Sequence, residues 1–80
     1  MTKHNGTKSF TARVYDELAS AGYSRASGLE FLAERLGKTK SAVSAMLNAH
    51  KTIATWPGDS KVMEYAAALQ VPPSQLMRGA

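Results

Sequence analysis

No cysteine occurs in these 80 residues, which excludes disulfides and thiolate metal sites and agrees with a reducing compartment. No apolar run approaches the roughly 18 residues that span a bilayer. The polar N-terminus shows no signal-peptide pattern. A cytoplasmic protein without a membrane segment is therefore expected. Histidine is limited to His4 and His50, and neither HExxH nor a glycine-rich phosphate loop is present. Lys, Asp and Glu can do acid–base chemistry, but short helices leave little volume for a cleft. An enzyme is not expected, and no catalytic residue, cofactor or metal is assigned. Strand-like alternation and internal repeats are also missing, which leaves helices.

Acidic residues are missing from one place in particular. The formal net charge is +4. Up to residue 34, Lys3, Lys8, Arg13 and Arg25 balance Asp16, Glu17, Glu30 and Glu34. From residue 59 on, Lys61 and Arg78 balance Asp59 and Glu64. The whole excess lies between, in Arg35, Lys38, Lys40 and Lys51, with no acid among them. A basic patch of this kind is the electrostatic footprint of a nucleic-acid binder. A solvated surface with a chance asymmetry is the plain alternative.

At 44% apolar content the chain is expected to fold, as one domain over 9–78 behind a disordered tail over 1–8. That tail, MTKHNGTK, is polar and aperiodic and contains Asn-Gly. With Lys3, His4 and Lys8 it can alternatively act as an arm along a nucleic-acid groove. A first helix is expected from Phe10 to Ala21, capped by Ser9, burying Phe10 or Val14 with Leu18 and Ala21. Gly22 ends it. Ser27 with Glu30 reads as a capping box opening a second helix over Gly28–Leu36. Leu29, Leu32, Ala33 and Leu36 make its apolar stripe. Gly37 stops that helix by accepting positive φ.

Thr39 caps a third helix over Lys40–Ala49, whose inner face is Val43, Met46 and Leu47. Steps of 100° per residue put Ser41, Ser44, Ala45 and Asn48 on the opposite face. A generic solvent face carries Glu and Lys. This one has small side chains and an amide, so it suits close approach to another surface. Two helices across a short glycine turn also match the helix-turn-helix unit. In the loop His50–Gly58, Ile53 and Trp56 either plug the core or meet a partner; core packing is favoured for the tryptophan. A fourth helix is expected from near Pro57–Ser60, with Asp59 as candidate cap, to about Gln70. Its inward stripe is Val62, Tyr65 or Ala66, and Leu69. Pro73 can open a short fifth helix ending near Met77. Leu76 and Met77 then either close the core or form a dimer contact. The fold expected is all-α, with five short helices.

The run LAERLGKTKSAVSAMLN, residues 32–48, resembles the helix-turn-helix of the phage Cro and repressor proteins, the XRE family. Leu32-Ala33, Leu36-Gly37, the capping Thr39 and Val43 carry the match. The later VMEYAAALQVPPSQLM, with its Leu69-x-Val71-x-x-x-x-Leu76 pattern, is similar to that family's fourth and fifth helices. Together they cover about residues 10–77. The chain departs from the pattern at Lys38, at Ala49 and in the longer loop His50–Trp56.

What this resemblance implies is a lambda-repressor-like fold and a transcriptional regulator of double-stranded DNA. The third helix would enter the major groove, with Thr39, Lys40, Ser41, Ser44, Ala45 and Asn48 facing the bases. Ser27, Lys38, Lys51 and Thr52 would meet phosphates, with Arg25 and Arg35 as weaker candidates. A homodimer on a palindromic operator follows, joined through Trp56 or through Leu76 and Met77. The simplest action is repression, by analogy with phage or plasmid control proteins. An antitoxin that binds a toxin as well as its own operator is the rival; a single-stranded RNA reader is weaker, because no aromatic platform is evident.

Overall fold

Ser9 is extended (φ −73°, ψ 165°), and its hydroxyl accepts from the Ala12 N–H at 3.1 Å. That cap starts α1 (Phe10–Ser20). A computed structural model describes residues 8–52 and 55–77. The expected tail therefore lies outside the described residues except for Lys8, whose ammonium meets Asp16 at 2.5 Å. Ile53 and Arg78 lie outside them too.

Phe10, Val14 and Leu18 recur every four residues along α1 and are buried, whereas Ala21, expected on the same face, is exposed. Gly22 takes φ 92° and the Tyr23 N–H donates back to the Leu18 carbonyl at 2.9 Å, closing the helix end.

The second helix starts a turn earlier than expected. α2 runs Arg25–Leu36, and its cap is Ser24 rather than Ser27. The Ser24 hydroxyl accepts from the Ser27 N–H at 3.2 Å, and the Ser27 hydroxyl accepts from the Ser24 N–H at 2.9 Å. Serine thus fills the role usually given to Glu or Gln at the third position of a capping box. Gly28 is buried inside α2, not at its start. A Cβ there would lie 2.7 Å from Leu18 Cδ1, so the glycine lets α1 and α2 approach.

Gly37 ends α2 with φ 68°, and the Lys38 N–H donates to the Ala33 carbonyl at 2.9 Å. Thr39 then caps α3 (Lys40–Ala49), its hydroxyl accepting from the Ala42 N–H at 3.0 Å. The connection is only Gly37-Lys38-Thr39. Leu32 and Ala33 of α2 and Val43 and Leu47 of α3 are buried together in the core. The C-terminal end of α3 is held from α1. The Thr11 hydroxyl donates to the Leu47 carbonyl and lies 3.1 Å from that of His50.

Beyond α3, the His50 ring contacts the Thr55 carbonyl through Nδ1. Trp56 packs inward, edge-on to Phe10 at 5.9 Å, and its indole N–H donates to the Leu76 carbonyl at 3.1 Å. α4 spans Asp59–Leu69. Its cap is Gly58, without a side-chain bond, so Asp59 is not the cap but a first-turn acid that the helix dipole favours. Val62, Tyr65, Ala66 and Ala68 are its buried residues, with Leu69 partly so. Gln70 closes α4 at φ 61°, and the Val71 N–H reaches the Ala66 carbonyl at 3.0 Å.

In place of a fifth α-helix there is a four-residue 3-10 turn, Pro73–Leu76. Successive prolines at 72 and 73 supply no N–H groups, and the turn is only long enough to bring Leu76 into the core. Among the described residues the fold is thus all-helical, with four α-helices, the 3-10 turn Pro73–Leu76 and no strand. One core joins all five elements, with Phe10 edge-on to His50, Trp56 and Tyr65.

Candidate nucleic-acid interface

Because Val43 and Leu47 anchor α3 inward, the helix presents the other side of its cylinder outward. Lys40, Ser41, Ser44, Ala45 and Asn48 line one open groove with Leu29 of α2, about 450 Å³ in volume. These are five of the six residues that the helical period and the resemblance placed together. The sixth, Thr39, is exposed just before the helix, with its hydroxyl engaged as the cap. Among the described residues the side chains of Ser41, Ser44 and Asn48 make no hydrogen bond to the rest of the chain. Two hydroxyls and one amide therefore remain available to a ligand, each able to donate and accept.

Two neighbours of this groove are not expected from the sequence. Leu29, expected on the inward stripe of α2, is only partly buried and forms one wall. Glu30, expected in a capping box, instead has its carboxylate 3.5 Å from the Lys40 ammonium. Once Ser24 takes the cap, Glu30 sits a turn and more inside α2, beside the start of α3. The only sequence signal for this pairing is the short connection that brings the two helices together. The contact is exposed on both sides, so it contributes at most about 1 kcal/mol and can open readily.

The residues assigned to phosphates divide into open and engaged groups. Lys38 and Lys51 are exposed and form no ion pair among the described residues. Ser27 is already engaged with Ser24 in the capping box. The Thr52 hydroxyl lies 3.2 Å from that of Thr55. Arg25 is stacked over Tyr15, its guanidinium carbon 4.2 Å from the ring centre. Arg35 lies over Phe31 at 5.0 Å, and Phe31 in turn stacks on Tyr23 at 4.7 Å.

The residues offered as dimer contacts sit elsewhere than a free surface requires. Leu76 is 0% exposed and has no surface to give a second copy. Trp56 and Met77 are partly buried against the core. No helix among the described residues is long and apolar enough to cross a membrane. No protein-family model, curated protein or solved structure matches the chain.

Proposed function

We propose that this chain is a sequence-specific DNA-binding regulator, with α2, Gly37–Thr39 and α3 acting as a helix-turn-helix. The observation that carries this reading is the outward groove of α3. It is lined by small side chains, one lysine and one amide of α3, with Leu29 of α2 as one wall, and by hydroxyls that nothing in the described chain occupies. A major groove about 12 Å wide admits a helix whose outer side chains are short. Asn48 then pairs with the N6 and N7 of an adenine, and Lys40, released from Glu30, donates to a guanine. Ser41 and Ser44 donate or accept, while Ala45 and the Thr39 methyl meet thymine methyls. Lys38 and Lys51 supply phosphate contacts.

The resemblance of residues 32–48 to Cro and repressor proteins supports the same reading. So does the concentration of net positive charge between residues 35 and 58. With no arginine in the groove, one copy binds modestly, and a homodimer on a palindrome with half-sites about 34–36 Å apart supplies the rest. Occupying a promoter in this way represses it.

Two substitutions test the division of labour. Lys38→Ala should weaken binding to every duplex alike and lower the slope of log K against log salt by about 1. Asn48→Ala should relax preference at one base pair, by about 1–3 kcal/mol, with the salt slope unchanged. Equal behaviour of the two variants would contradict the assignment.

A further inference from the structure

We infer that a second copy of this chain docks across the outer face formed by α2 and α4. This deepens the homodimer part of the proposed function and rests on it. The face has four features that belong together. Met63 of α4 is 55% exposed, the large hydrophobic side chain left outside among the described residues. A hollow of about 370 Å³ lies between α2 and α4, lined by Leu36, Ala67 and Ala68. Arg35 and Glu64 line the same hollow. Arg35 reaches no carboxylate among the described residues, and its guanidinium rests on the Phe31 ring. Among the described residues Glu64 meets only the half-buried Lys61, at 3.6 Å.

A two-fold contact uses the same patch on both copies, so the patch must carry both halves of every interaction. This one carries a projecting side chain and a hollow, and a cation and an anion. Met63 precedes Ala67 by four residues, so the two are neighbours on α4. Ala67 and Ala68 keep the hollow open, and an unbranched thioether side chain adapts well to such a space. Across the two-fold, Met63 of each copy enters the hollow of the other. Arg35 of each copy then meets the other's Glu64. Leu76, inside the core, and Trp56, partly buried against it, take no part.

Sedimentation of the purified chain, alone and with a selected operator duplex, tests this. The wild-type chain should associate to a dimer at micromolar concentration, and Met63→Glu should weaken that association roughly tenfold or more. Arg35→Glu alone and Glu64→Arg alone should each weaken it, because each sets like charges opposite one another twice. Mixing those two variants should restore a dimer, since both cross-pairs are then of opposite sign. An ion pair formed within one chain gives no such rescue. A wild-type dimer that survives Met63→Glu and both reversals unchanged would overturn this face while leaving the homodimer standing. A wild-type chain that is monomeric both free and on the operator would overturn the homodimer reading itself, and this inference with it.

Discussion

α3 and α4 are helices of ten and eleven residues that both bury side chains in the core, yet their ends are held differently. α3 is fixed at its ends as well as through Val43 and Leu47. The Thr39 hydroxyl caps its first turn, and the Thr11 hydroxyl reaches across from α1 to its last carbonyls. α4 has no side-chain bond at its start and a non-glycine residue in the left-handed region at its end. It is held by its middle, where Tyr65 is 1% exposed and packs edge-on to Phe10 at 5.6 Å. The difference has a physical sense. A helix anchored at both ends keeps its outer side chains in register without covering them, which suits a face that must fit a rigid ligand. A helix anchored by a buried ring keeps its position, while its outer face needs only an apolar projection and a hollow.

The largest effect should come from the middle of α4. Burial, with the Glu64 carboxylate adding to it, pushes the Tyr65 hydroxyl up to about 12 from the ordinary 10.0. Between those values the unfolded chain has released this proton and the folded chain still holds it. Stability is therefore fully present below about pH 10 and falls as pH rises through about 12, by roughly 2–3 kcal/mol. Urea unfolding at stepped pH should show this fall, and Tyr65→Phe should remove that part of it. An identical pH dependence in the variant would show that α4 is not anchored by the buried phenol.

Next in size is the far end of α3. Thr11→Val keeps the shape but leaves the Leu47 and His50 carbonyls without this donor, at a cost of about 1–3 kcal/mol in denaturant unfolding. DNA affinity should fall as well, although Thr11 itself is buried. At the near end, Thr39→Ala removes a cap and should cost about 1 kcal/mol. Amide exchange in the first turn of α3 should rise with it, and unchanged exchange would contradict end-anchoring. The smallest effect has the opposite sign. Gln70→Gly relieves a left-handed residue at the end of α4, partly offset by the entropy glycine loses on folding, and should raise stability by about 0.5 kcal/mol, seen as a higher midpoint with the same slope.

Much of this arrangement could be read directly from residues. Gly37, Thr39 and the Val43–Leu47 spacing locate α3 to the residue, because a glycine stop, a threonine cap and a four-residue apolar interval all agree. The outer face follows from the same period, so its four expected residues, Ser41, Ser44, Ala45 and Asn48, line one groove. The start of α2 was not legible. Ser24, Ser27 and Glu30 are spaced by three, so either serine can open a capping box. Gly28 lies inside the helix where Leu18 of α1 approaches it, a closeness that depends on how α1 and α2 cross. The Glu30–Lys40 pair was hidden for the same reason, since it needs the position of α2 against α3. At Gln70 the left-handed residue closes α4 two positions before Pro72, and no glycine announces it.

The claim on which the rest depends is that the outer face of α3 reads duplex DNA. Selecting bound sequences from a random double-stranded pool with the whole chain tests it most directly. The expected result is a palindrome whose half-sites lie about one helical turn apart, with one base position relaxed when the selection is repeated with Asn48→Ala. Recovery of no shared sequence, or of one that Asn48→Ala leaves unchanged, would contradict it.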